Sequence, residues 1–279
     1  MKKKPLLADL ASEYLSTEFT ERAEKTVEHH SFYLTAFVEF TGRRSINPTT
    51  YRNWTRHCFA KWAPQTAKCL ALASSSRVLN WMERSGHIER SPHHVTKAPI
   101  VKTPPVREPI TVEEFEQLKS ASITDPPMHW AIVCGWETGM AIGDVSLLCW
   151  DSVDFQQHAI IRSRLKTNER CIIPFREHGD MAGMLEAKSV RQSESMWPSV
   201  PSQGIVYVDL DLAALYKRGA GAVQSRFANI RARAGVSDAK SFHNLRASFC
   251  SRLANAGVQL SLACLMSGHK NPAIFSKYV

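Results

Sequence analysis

Gly268-His269-Lys270-Asn271-Pro272-Ala273-Ile274-Phe275-Ser276-Lys277-Tyr278 sets a histidine nine residues ahead of a tyrosine, with Val279 after it. Upstream, His243-Asn244-Leu245-Arg246 holds a histidine and an arginine three residues apart. On a helix that spacing gives the two side chains one face, while Leu245 and Phe249, at i and i+4, anchor the helix inward. Taken singly, each motif is bland: a surface tyrosine, a helix-surface polar pair, a histidine after a glycine. Their joint spacing is what carries weight.

The 279 residues suit one large domain or two ordinary ones. A hydrophobic content of 44% is enough for real cores. No run of 18 apolar residues occurs, so no membrane span is expected. Met1-Lys2-Lys3-Lys4-Pro5 is basic but lacks the apolar stretch of a signal peptide. The seven cysteines, at 58, 69, 134, 149, 171, 250 and 264, are odd in number and form no C-x-x-C pair, which points to a reduced, cytosolic protein without zinc. The net charge is +9, unevenly spread. Residues 1–107 hold 17 Lys and Arg against 9 Asp and Glu; residues 108–279 hold 18 against 17. The N-terminal part is therefore the candidate footprint for a polyanion, although a solvated basic surface has the same composition.

Apolar periodicity predicts helices through residues 5–87: one with Leu6, Leu7, Leu10 and Tyr14, one from Thr20 to Phe40, one from Thr50 to Lys61 and one from Gln65 to Arg84. Gly42 and Ser85-Gly86 supply stops. Residues 91–107 contain four prolines, three basic residues and no acid, and read as an extended linker. Beyond it, Thr111 and Glu114 form a capping box. Helices are expected at 111–121, 127–138 and 141–148. Three short strands follow, Val153–Phe155, Ala159–Arg162 and Cys171–Pro174, with Lys166-Thr167-Asn168-Glu169 in the turn between the last two. Helices return near 180–187, 212–217, 222–234, 241–256, 259–267 and 271–278. The fold class is mainly α with a small antiparallel sheet.

The H-x-x-R and Gly-His…Tyr motifs resemble the active site of the tyrosine recombinases, the phage-integrase family. So does Thr138-Gly139-Met140-Ala141-Ile142-Gly143-Asp144, followed by Leu148-Cys149-Trp150-Asp151-Ser152-Val153-Asp154. The resemblance covers essentially the whole chain, with its specific motifs in the C-terminal part. It implies a helical, SAM-like core-binding domain over residues 1–90, a basic Pro-rich linker over 91–108 and a mixed α/β catalytic domain over 109–279. It further implies metal-free and nucleotide-free cleavage of DNA. Tyr278 would be the nucleophile, Arg246 the clamp on the scissile phosphate, and His243 and His269 its further hydrogen-bonding partners. Lys166 would protonate the leaving 5′-oxygen; Lys188 is a distant competitor for that role. These residue types suit the chemistry, because a phosphodiester needs a nucleophile, fixed cations and proton donors. Lys97, Lys102, Arg43, Arg44 and Arg77 are candidate DNA contacts.

One position departs from the family pattern. Ala141 stands where the family carries its first catalytic arginine, and Asp144 is the acid that supports it. An alanine there is expected to leave Asp144 without its cation and the chain binding DNA but cleaving it poorly. Lys166, His243, Arg246, His269 and Tyr278 all remain, which favours an engineered alanine over natural decay. Family members also continue past the tyrosine, where this sequence has only Val279.

The reading is a site-specific recombinase, acting on duplex DNA with inverted half-sites as a dimer on each site and a tetramer in synapsis. It would exchange strands through a Holliday junction, in the cytoplasm and associated with the nucleoid. The rivals are a type IB topoisomerase-like enzyme, a catalytically silent DNA-binding protein and a generic helical nucleic-acid-binding module.

Overall fold

A computed structural model describes residues 6–20, 24–42, 44–101, 108–166, 168–195 and 206–278, excepting the side chains of 191–195. The chain divides into two compact units, residues 1–104 and 105–279.

The first unit is helical: α1 Leu7–Glu18, α2 Glu24–Thr41, α3 Pro48–Lys61, α4 Pro64–Thr66 and α5 Ala73–Arg84. Asn47 caps α3 by accepting from the Thr50 amide at 2.9 Å, and Pro48 opens the helix where its missing N–H costs nothing. The core gathers Leu34, Phe37, Trp54, Val78, Leu79 and Met82. A π-helical stretch, Ala67–Leu72, joins α4 to α5. Just after it, two buried serines face inward. Ser74 Oγ lies 2.9 Å from His30 Nδ1, and Ser75 Oγ accepts from Trp54 Nε1 at 3.0 Å.

The stretch read as an extended linker begins otherwise. Pro92–Val95 forms a 3₁₀ turn. Ser91 and Pro92 are buried, the Ser91 amide donates to Glu83, and His94 lies 3.3 Å from the same carboxylate. Local side-chain partners win there over the extended preference of a Pro-rich sequence.

The second unit holds α6 Val112–Ser122, α7 Pro126–Thr138 and α8 Ile142–Ser146. Strands β1 Val153–Asp154, β2 Ala159–Ser163 and β3 Arg170–Pro174 pair antiparallel in the order β1-β2-β3. Then come α9 Asp180–Ser195, α10 Leu210–Lys217, α11 Ala220–Arg233, α12 His243–Asn255, α13 Leu260–Ser267 and α14 Pro272–Phe275, with a 3₁₀ turn over Ser276–Tyr278. The predicted capping box forms: Thr111 Oγ1 accepts from the Glu114 amide and Glu114 accepts from the Thr111 amide. The helix expected over 141–148 is cut to five residues, and the last helix tightens before it reaches Tyr278.

Leu118, Met128, Trp130, Ile132, Leu148 and Ile160 are fully buried in one core. Leu245 and Phe249 join it, so α12 lies against α7 with its H-x-x-R motif fixed by packing. No helix among the described residues is long and apolar enough to cross a membrane.

Candidate active site

Three helix ends and a hairpin stem build the site, all within the second unit. Helix α7 stops at Gly139, whose φ of 63° is left-handed and suits glycine. The carbonyl of Gly139 accepts from Arg246 Nη1 at 3.0 Å. Arg246 is only 5% exposed and has no ion-pair partner among the described residues, an unusual place for a guanidinium.

Its other arm meets His269. Arg246 Nη2 lies 3.0 Å from His269 Nε2, and His269 Nδ1 lies 2.8 Å from Ser267 Oγ. A guanidinium only donates, so Nε2 is the acceptor and the ring carries its proton on Nδ1. Helix α13 delivers this histidine by ending at Gly268, again left-handed at φ 65°. The Tyr278 ring lies 5.8 Å from the His269 ring, and the Tyr278 carbonyl accepts from Ser251 Oγ of α12 at 3.2 Å. His243, half-buried at the start of α12, is close enough to act electrostatically on His269. The chain thus brings Arg246, His269, His243 and Tyr278 together from α12 and the last eleven residues.

Burial, then the charges of Arg246, Arg164 and His243, push the His269 imidazole down to about 4. The ring is therefore neutral at pH 7. The unfolded chain takes up this proton near pH 6.5 and the folded one only near 4, so the folded state loses stability as pH falls through that window. The expected NMR titration midpoint of His269 is near 4, moving upward in Arg246→Ala; a midpoint near 6.5 in the parent would contradict this arrangement.

Asp144 corrects the sequence expectation that it stands alone. Its carboxylate is 2.9 Å from Arg164 Nη2 and 3.4 Å from Arg162 Nη2, and accepts the Leu165 amide at 3.0 Å. Its cations come from β2 and the residue after it, not from position 141. Ala141 itself occupies the cap position of α8.

Arg164 and Glu169 close the β2–β3 hairpin, with Asn168 left-handed at φ 54°. Lys166 is exposed at its tip. Lys188, its competitor, is bound to Asp209 at 2.5 Å and sits over the Trp130 ring. Among the candidate DNA contacts, Arg44 donates to the Phe40 carbonyl, Arg77 Nη1 lies 2.7 Å from His30 Nε2, and Lys97 is exposed. Arg43 and Lys102 lie outside the described residues, as does Val279.

The sequence signature of the phage integrase family matches residues 109–279. The chain belongs to the phage integrase family.

Solved structures share its fold. A lambda integrase tetramer bound to a Holliday junction superposes with a TM-score of 0.75 at 18% identity, over 99% of this chain and 78% of that one. The Tn1549 transposon integrase, bound to a circular intermediate DNA, gives 0.76 at 16% identity, over 98% of this chain and 94% of that one. No curated protein matches the sequence.

For this integrase-family chain, reading the motifs missed Arg162 and Arg164. The signal was present: residues two apart on a strand share a face, so a basic pair in R-x-R extends from β2 toward one neighbour.

Proposed function

We propose that this chain is a site-specific DNA recombinase that cuts and rejoins duplex DNA through Tyr278. The observation that carries this reading is the convergence of Arg246, His269, His243 and Tyr278 on one small region of the second unit. Tyr278 Oη attacks the scissile phosphorus, forming a 3′-phosphotyrosyl ester, and its phenolic proton passes to His243. The bond to the 5′-oxygen breaks, and Lys166 at the hairpin tip gives that oxygen its proton. Arg246 and His243 hold the non-bridging oxygens, where charge develops, and His269 donates to them once the phosphate draws Arg246 off Nε2 and that nitrogen takes up a proton. Reversal by a 5′-hydroxyl rejoins the strand, with the bond energy kept in the ester and no metal or nucleotide consumed.

On this reading the substrate is double-stranded DNA with inverted half-sites, bound by a dimer at each site. Two such dimers form a tetramer and exchange strands through a Holliday junction, in the cytoplasm and near the nucleoid. The basic first unit contributes phosphate contacts whose affinity falls with salt.

The test is covalent trapping with a random-sequence pool of nicked duplexes, resolved on denaturing gels and sequenced. A 3′-linked adduct is expected from the parent, and none when Tyr278→Phe is introduced. If neither the parent nor Ala141→Arg forms an adduct while both bind DNA tightly, the reading gives way to a catalytically silent DNA-binding protein.

A further inference from the structure

The absent arginine at 141 leaves a physical question, because one clamping cation is missing from a site that otherwise holds together. The structure places another guanidinium beside it. Arg164 Nη2 donates to Asp144 at 2.9 Å, and Arg164 Nη1 donates to the Ser267 carbonyl at 2.7 Å, next to Gly268-His269. It therefore spans the acid of α8 and the end of α13. Its side chain is 11% exposed, and its charge helps to hold down the pKa values of both Arg246 and His269.

Charge balance points the same way. Arg162 and Arg164, with side chains 9% and 11% exposed, share one carboxylate, Asp144, while the buried Arg246 is close enough to feel the charge of Arg164. Buried charges are ordinarily paired, so this excess of positive charge awaits an anion. The two buried cations beside Asp144 divide their work. Arg162 commits Nη1 to the Asp144 carbonyl, Nη2 to its carboxylate and Nε to the Ser163 carbonyl. Arg164 spends two of the five N–H donors of a guanidinium on its bonds to described residues. Space has been made for it as well. A Cβ at Gly268 would collide with the Arg164 side chain and with Cys171 Sγ.

We propose that Arg164 supplies the second phosphate-binding cation of this site, reaching the scissile phosphate from the end of β2 in place of an arginine at 141. The inference rests on the recombinase reading and deepens it. The charge expected at the cap of α8 is then delivered from the residue after β2. Arg162 is a positioning residue that holds Asp144, and Asp144 in turn orients Arg164.

The test uses the DNA site recovered by trapping and measures the single-turnover rate of adduct formation. Arg164→Ala is expected to slow it by about 10²–10³, the usual loss for one preorganised donor. Adding Ala141→Arg to Arg164→Ala is expected to restore the rate to within roughly tenfold of the parent. A structural defect would not be rescued in that way. On a duplex with a neutral methylphosphonate at the scissile position, the Arg164→Ala penalty shrinks to less than about tenfold, because the charge to be stabilised is gone.

The inference falls if Arg164→Ala cleaves like the parent, if Ala141→Arg fails to rescue it, or if the methylphosphonate leaves the penalty unchanged. It also falls if the parent is inert while Ala141→Arg cleaves; in that case the recombinase reading survives with a disabled site. No adduct from any chain removes both.

Discussion

Asp144→Ala is expected to lower the free energy of unfolding by about 3–5 kcal/mol, the range for breaking a buried ion pair from one side. The Asp144, Arg162 and Arg164 side chains are 5%, 9% and 11% exposed, so water screens them little. Removing the carboxylate leaves two guanidiniums facing each other and strips the Leu165 amide of its acceptor. Asp144→Asn keeps that acceptor and loses only the charge, so it should fall between Ala and the parent. Urea denaturation measures this directly, provided the slope with denaturant is unchanged. A loss below about 1 kcal/mol would mean that the two arginines relax into solvent, and that the cluster is weaker than a buried one should be.

Arg246→Lys should slow adduct formation by about 10²–10³ while leaving DNA affinity nearly intact. The guanidinium reaches the Gly139 carbonyl with one arm and His269 with the other, at 3.0 Å each. That is a planar fork set by two neighbours. A lysine carries the same charge as a single point on a flexible stem and cannot hold both partners while meeting two phosphate oxygens. Desolvation also weighs more heavily on a strongly hydrated ammonium than on a guanidinium at this depth. Single-turnover cleavage compared with gel-shift affinity separates the two effects. A slowing of less than tenfold would remove Arg246 from the clamp.

Much of the site was legible because its parts are local in sequence. The H-x-x-R face of α12 follows from helical spacing, and the burial of Leu245 and Phe249 follows from the same count. The capping box before α6 needs only residues 111–114. Asp144's partners were not legible from its own motif, since they arrive from 18 and 20 residues away across a strand. A motif names the position where a family keeps its cation; tertiary packing decides which side chain delivers the charge. The 3₁₀ turn at Pro92–Val95 was hidden for the opposite reason, because Glu83 on α5 competes for the Ser91 amide. Composition alone, rich in proline, favoured an extended chain there.

The π-helical stretch Ala67–Leu72 has a consequence for how the first unit tolerates change. A wide turn closes with i→i+5 bonds and so takes up one residue more than an α-turn over the same rise. Each residue advances an α-helix by about 100°. Deleting one residue from this stretch would let the rod run as a plain α-helix over the same rise, and α5 would keep its aim. Ser74 and Ser75 would stay on His30 and Trp54, and Val78, Leu79 and Met82 would stay in the core. The same deletion at the start of α5, where no wide turn absorbs it, would swing every later residue by about 100°. The wide turn is thus the place where this rod can lose a residue and keep its face.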